Sequence, residues 1–432
     1  MKLLMLGWEL PPYNSGGLGV ASYNMAKALA HRGVDIQFIL PYAAKHTEAE
    51  RFMKIIPAAN VPPLINEAGE YVAMGAYSGT CSVCHSRDCE HAREYGNDFV
   101  AATRRYADQV VKLILRRKLR PDVIHAHDWL TMEAGVRAKL ISGRPLVVHV
   151  HATEFDRAGG HSGNPLIHEI EYQGLVMADR ILAVSQLTKD IIVKEYHIPP
   201  DKIEVVHNSF EPSDLEDIVV DVNDYLYAKE LKRHGYTIVS PGGVRLTAQK
   251  GISYLLEAMA LAMSKNPKLL LLVPSSGDQR DQIIELSADL GISDRVIFLG
   301  FVRGSRQREL YDITDIFVMP SVSEPFGITA LEAAHSDTAL LLSKQSGVGE
   351  LLRNVMRFDY WDTRRLADEI VNISLSPGLS TELREGAQRE YLRFSWSDVA
   401  EKLSHEYQKV IARSRQSSVD WGRIMREGAY YA

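Results

Sequence analysis

Short apolar runs recur along the chain, each followed by a longer segment that is polar on one side. Residues 3–6, 35–40, 123–127, 146–151, 180–184 and 203–207 read as buried strands, three to six residues long like those of a second series at 237–240, 269–273, 296–299, 316–319 and 340–342. Amphipathic helices are expected between them, among them 20–31, 98–118 and a last one at about 397–411. Continuous apolar runs alternating with helical spacing predict α/β architecture with parallel, doubly wound sheets. The acidic stretch 208–235 has no clear period and separates two units, 1–208 and 236–396. Residues 42–97 are long for a connection and read as an elaborated loop. In such sheets ligands sit beyond the C-terminal strand ends, which is where His127, Asp128 and His151 fall.

Composition narrows the class only a little. A chain of 432 residues with 46% hydrophobic and 24% charged residues is ordinary for a globular protein of two or three domains. A net charge of −6 offers no general footprint for nucleic acid. No apolar run approaches the roughly 18 residues of a membrane span, so no integral membrane segment is expected. The start, Met1 to Glu9, reads as a first strand and not as a signal peptide, and a cytoplasmic protein is expected. Three cysteines are too few for a secreted disulfide scaffold.

The densest chemistry lies in Pro320-Ser-Val-Ser-Glu-Pro-Phe-Gly-Ile-Thr-Ala-Leu-Glu-Ala333. A strand enters it, two prolines keep it irregular, and a helix leaves it after Gly327. A helix N-terminus offers amides and partial positive charge to an anion such as a diphosphate. Glu324 and Glu332 flank that turn, although acidic residues near a helix start are also ordinary surface features. Arg245 and Lys250 occupy a loop after another strand, where two cations can neutralise a leaving diphosphate. Gly16 and Gly17 stand at the first strand-to-helix turn, either as a plain tight turn or to let a ligand approach the backbone.

The phrase Ser-Glu-Pro-Phe-Gly-Ile-Thr-Ala-Leu-Glu-Ala, with its Glu-x7-Glu spacing, resembles the retaining glycosyltransferases of GT-B fold, family 4 and the neighbouring glycogen and starch synthases. The likeness spans nearly the whole chain. It implies two Rossmann-like domains facing a cleft, with the C-terminal helix (about 397–432) crossing back to brace the first. It also implies that Glu332 holds the nucleotide ribose, that the loop at Gly327, Ile328 and Thr329 binds the donor diphosphate, and that Glu324 lies by the donor sugar. Arg-Leu-Thr-Ala-Gln-Lys-Gly matches the family phrase whose Arg and Lys (here Arg245 and Lys250) bind that diphosphate. Gly16-Gly17 resembles the family's loop against donor phosphate and acceptor. Val-His-Val-His151-Ala-Thr-Glu resembles the synthases' strand-His motif and puts His151 near the donor sugar, with His149 on the same face. His-Asp128-Trp129 resembles their His-Asp-Trp segment, with Asp128 binding acceptor or sugar hydroxyls.

The chain contains no Asp-x-Asp triplet, which disfavours a metal-dependent GT-A site, so no catalytic metal is expected. Ser336-Asp337-Thr338-Ala339 departs from the usual Gly-Thr-Pro turn, and Val244 stands where Gly is common. The expected partners are a nucleotide diphosphate sugar donor, with UDP, ADP and GDP undistinguished, and a glycosyl acceptor. Ser343 to Glu350 looks like the glycogen-synthase group, making an α-glucan the leading acceptor and glucose the leading sugar. A lipid or small-molecule glycoside is the alternative acceptor, and a non-catalytic binding protein of the same fold is the alternative class.

All three cysteines fall within nine residues: Cys81, Cys84 and Cys89, followed by His91. Three thiolates and an imidazole are the ligand set of a structural zinc site. His85 is a second choice for the fourth ligand, and a redox pair or three unlinked thiols are the other readings.

Overall fold

The computed structural model describes residues 1–13, 16–60, 90–161, 163–212, 225–242, 246–274, 277, 279–300, 302 and 304–428, with 90–98 and 417–428 described by their backbone alone. Its strands form two all-parallel sheets. The first contains β1 (Lys2–Leu6), β2 (Asp35–Leu40), β3 (Lys54–Pro57), β4 (Val123–His127), β5 (Leu146–Val150), β6 (Arg180–Ala183) and β7 (Ile203–Val205), in the order β3-β2-β1-β4-β5-β6-β7. The second contains β8 (Thr237–Ser240), β9 (Leu269–Val273), β10 (Val296–Phe298), β11 (Ile316–Met319), β12 (Ala339–Ser343) and β13 (Met356–Phe358), in the order β10-β9-β8-β11-β12-β13. Central strands such as LVVHV, LLLLV, IFVM and ALLLS are buried at every position, because helices cover both faces of each sheet.

In each sheet the strand order reverses once, between β1 and β4 and again between β8 and β11. A crevice opens at such a reversal, because the connections on its two sides leave in opposite directions. Two strands differ from the sequence reading. β3 falls in the segment read as irregular, and β13 was not anticipated. Both are short edge strands paired on one side only, and Pro57 ends β3, so neither carries a long apolar run.

The helix Trp396–Gly428 is longer than expected and returns to the first sheet. Its Trp396, Val399, Leu403 and Tyr407 join Leu3, Met5, Val123 and Val147 in one core. Each fully buried leucine of this kind contributes roughly 1.5–3 kcal/mol. The helix Leu226–Arg233 packs Ala228, with Tyr225 just before it, against Ile238 and Leu270 of the second sheet.

Candidate active site

The first wall of the site grows from the ends of β4 and β5. His125 and His127 are two apart on β4, so they share a face, and register places His127 beside His149 of β5. His151, just past β5, extends the same row. The four rings therefore stack: His125 on His127 at 4.2 Å between centroids, His149 on His151 at 4.4 Å, His127 on His151 at 5.3 Å. His127 Nδ1 and His151 Nε2 lie 3.0 Å apart and share one proton, one ring donating and the other accepting. At the far end the Tyr407 hydroxyl sits 2.7 Å from His125 Nδ1. Burial keeps the row neutral. It lowers His125 and His151 to about 3, and His127 and His149 fall well below the ordinary imidazole value through burial and mutual repulsion.

His125, His127 and His149 each bring a ring nitrogen within 4.8 Å of the others, the one such group of metal-ligand type among the described residues. Their planes lie only 14–35° from parallel. Ring-nitrogen lone pairs lie in the ring planes, and stacked planes do not meet at a point, so the row does not match a tetrahedral ligand set. It matches a rigid, neutral wall of packed rings, pinned by the His127–His151 and Tyr407–His125 hydrogen bonds.

Asp128 is fully buried, with a positive φ of 55°. Its Oδ1 accepts from the amides of His151 (2.6 Å) and Ala152 (3.3 Å), which fixes how the chain leaves β5. Burial raises its pKa to about 7 against the opposing pull of Arg157 and those amides. In this structure the carboxylate thus orients the backbone that carries His151. Beyond it, Thr153 and Asp156 close a reciprocal cap over the short helix Glu154–Arg157, and Arg157 pairs with buried Glu154 and Glu171.

The second wall grows from β8 and β11. Residues 243–245 lie outside the described set, Arg245 among them, and so do Cys81, Cys84, Cys89 and the side chain of His91, whose backbone falls in the helix Glu90–Arg116. Lys250 ends the turn Ala248–Lys250, and Gly251 follows with φ 65°. A Cβ at Gly251 would collide with the Pro320 carbonyl, so glycine lets this turn lie flat on the loop after β11. There Lys250 Nζ reaches Glu324 Oε2 at 2.6 Å, Gln249 Nε2 donates to Ser323 O at 2.8 Å, and the Val322 amide donates to Gln249 O at 2.8 Å. The loop after β12 braces Glu324 from behind, through Glu324 N to Gln345 O and Gly347 N to Glu324 O, both 2.9 Å.

Gly327, φ 102°, opens the helix Ile328–His335, and no side chain caps that helix. Its first amides are therefore not taken by a capping side chain and remain suited to an anion. Glu332, half-buried on the next turn, accepts from Gln307 Nε2 (2.6 Å) and the Tyr311 hydroxyl (2.8 Å), which hold the carboxylate in place.

The walls meet. A Cβ on Gly17 would stand 3.8 Å from Ile328 Cδ1, so the glycine turn of the first sheet faces the helix start of the second. Gly16 immediately precedes that first helix, Gly17–His31. Ser323 Oγ donates to Asp156 Oδ1 at 2.6 Å. Glu350 crosses as well, accepting from the amides of Gln186 (2.9 Å) and Leu187 (3.1 Å) and meeting His207 Nε2 at 2.8 Å. Burial works to raise the Glu350 pKa, and His207 with the two amides holds it below the usual value. The residues that sequence reasoning did not single out are Asp156, Ser323 and Glu350. Thr153-x-x-Asp156 is a cap-like spacing visible in the sequence, whereas Ser323 and Glu350 gain their importance only from the meeting of the domains.

Comparison with known proteins agrees with this geometry. The family model described as Glycosyltransferase Family 4 matches residues 15–214, and that for Glycosyl transferases group 1 matches 230–388. This chain is a family 4 glycosyltransferase of GT-B fold. The transferase is 28% identical to an uncharacterized glycosyltransferase of Methanocaldococcus jannaschii, over 94% of this chain and 98% of that protein. It is 27% identical to glycogen synthase of Mycobacterium tuberculosis, over 96% of each. A solved sucrose-phosphate synthase of Thermosynechococcus elongatus shares the fold with a TM-score of 0.72 at 16% identity, covering 95% of this chain and 99% of that one. The transferase is a nucleotide-sugar enzyme. Among its described residues no helix is long and apolar enough to cross a membrane.

Proposed function

We propose that this transferase moves a hexose, glucose in the leading case, from a nucleoside diphosphate sugar to an α-glucan with retention of anomeric configuration. The carrying observation is the Lys250–Glu324 pair at 2.6 Å beside an uncapped helix start, set where strand order reverses. As the glycosidic bond to the diphosphate breaks, negative charge builds on the leaving phosphate. A fixed ammonium and helix amides stabilise that charge more than they stabilise the bound donor. Arg245, in the same loop by sequence, is assigned to the same phosphate. Glu332 takes the ribose, and the neutral His151 supplies a hydrogen bond to the sugar without adding charge to the donor. The leaving phosphate then accepts the acceptor proton on the face it vacates, through an oxocarbenium-like transition state, so the new bond forms on that face. The glucan assignment is supported by the full-length likeness to a glycogen synthase.

The test is nucleoside diphosphate release from UDP-, ADP- and GDP-glucose, with and without glycogen, followed by proton NMR of fresh product. Glycogen-stimulated release and an α-linked product are expected. A β-linked product from an α-linked donor overturns retention, and release that glycogen leaves unchanged overturns the glucan assignment.

A further inference from the structure

The two walls are joined near their chemistry by a short hydroxyl–carboxylate bond, while a longer hydroxyl–carbonyl bond, Thr188 Oγ1 to Pro325 O at 3.5 Å, reaches the same loop from the helix Gln186–Tyr196. Ser323 is 8% exposed and Asp156 is fully buried, and their hydrogen bond is 2.6 Å long. Asp156 Oδ2 is already committed to the Thr153 amide (2.8 Å) and hydroxyl (2.7 Å). Thr153 is two residues past His151, and Ser323 is the immediate neighbour of Glu324, which holds Lys250. One O–H therefore ties the loop carrying His151 to the loop carrying the Glu324–Lys250 pair.

We infer that Ser323 and Asp156 form a closure latch, a pair of positioning residues that sets the donor-side loop against the His151 wall. The contact at Glu350 is of another kind, because two amides and an imidazole converge on one carboxylate. Such a knot is suited to a lasting connection. A single hydroxyl–carboxylate bond is easier to exchange for water than three bonds converging on one carboxylate, which suits a contact that opens to admit donor and release product. Its catalytic consequence rests on the transferase reading above; the latch itself does not.

The test uses the full chain. In Ser323→Ala, hydrogen exchange without donor should rise in peptides on both sides, 152–157 and 321–327, and stay unchanged in 186–196 at the Glu350 contact. With UDP-glucose or ADP-glucose, whichever the wild type turns over, kcat should fall about tenfold, the scale of one hydrogen bond to a charged group. The donor KM should move much less, and calorimetric binding of UDP or ADP should be unchanged. Adding Asp156→Asn to Ser323→Ala should cost no further kcat. If that double variant does not fold, exchange and kcat of Ser323→Ala decide alone. Exchange that rises only in 321–327 or nowhere, or wild-type kcat, overturns the latch. A wild type that releases no nucleoside diphosphate from any donor defeats the transferase reading instead, and the exchange result still decides the latch.

Discussion

The two walls of the site use charge in opposite ways. On the first, four imidazoles are stacked, buried and neutral, and Asp128 turns one carboxylate oxygen to backbone amides. On the second, a partly exposed ammonium pairs with a buried carboxylate beside a helix start. The difference fits the assignment proposed above, with the second wall at the diphosphate and the first at the sugar. Charge develops on the diphosphate, so fixed opposite charge belongs there. A permanent cation against the sugar would oppose its developing positive character, so directional neutral groups belong on that side. Placement in the fold achieves the split, since the imidazoles sit on, or immediately after, strands buried on both faces and the ion pair sits on loops.

If this division holds, removing charge from the second wall has the largest effect. Lys250→Ala is expected to lower kcat by about 10²–10³-fold, the usual cost of one preorganised stabiliser of developing charge. The melting temperature should change little, because Lys250 is half-buried on a loop and outside the cores. Steady-state release of nucleoside diphosphate, read beside a thermal melt, checks it. Near-wild-type turnover in folded Lys250→Ala would end the division of roles.

Much of this wall was legible in the sequence, because a strand, two prolines, a glycine and a glutamate follow one another within a few residues and act locally. Glu324, Gly327 and Glu332 needed no tertiary information to be placed at one helix mouth. The first wall was less legible. His151 could be named, but its stacking on His127 depends on the register of β4 with β5, which is set by the whole sheet. The sequence placed Asp128 on acceptor or sugar hydroxyls by resemblance, but could not show that one of its oxygens, Oδ1, takes the amides of His151 and Ala152, a bond between segments 23 residues apart. Ser323 and Glu350 were least legible of all, since their partners lie 167 and 143–164 positions away in the other domain.

The neutral wall makes an effect of intermediate size, on stability. In the unfolded chain these imidazoles bind protons near pH 6.5, and in the folded protein His125 and His151 do so only near 3. Between those values the unfolded state binds more protons, so stability is full above 6.5 and is lost on acidification. Asp128 acts in the other sense. Its folded pKa of about 7 lies above its ordinary 3.8, so its contribution falls as pH rises through that window. A single substitution separates the two. His149→Gln should make the acid limb of a stability–pH curve shallower by up to about 1.4 kcal/mol per pH unit, one proton's worth. Urea unfolding at several pH values below 6.5 measures it, and parallel curves for the two proteins would show that His149 titrates normally in the fold.

The smallest expected effect is that of metal removal on turnover. If Lys250 and the helix start stabilise the leaving diphosphate as proposed, no divalent cation is needed there, and chelation should leave release of nucleoside diphosphate unchanged. Loss of activity on chelation, restored by Mg²⁺, would overturn that. The cysteine cluster is a separate matter. Cys81, Cys84, Cys89 and His91 precede the body of the helix Glu90–Arg116, whose Ala102 and Tyr106 lie in the core of the first domain with Trp8 and Trp129. Zinc bound there would order the entry to that helix and contribute folding energy, far along the chain from the loops that bear charge. Protein purified reduced and without chelators is therefore expected to carry one zinc per chain and Cys84→Ser to lose it, with a lower melting temperature and unchanged kcat. Substoichiometric zinc in the wild type would sink the site, and a kcat that falls with the metal in a folded Cys84→Ser variant would mean that the neutral wall depends on it.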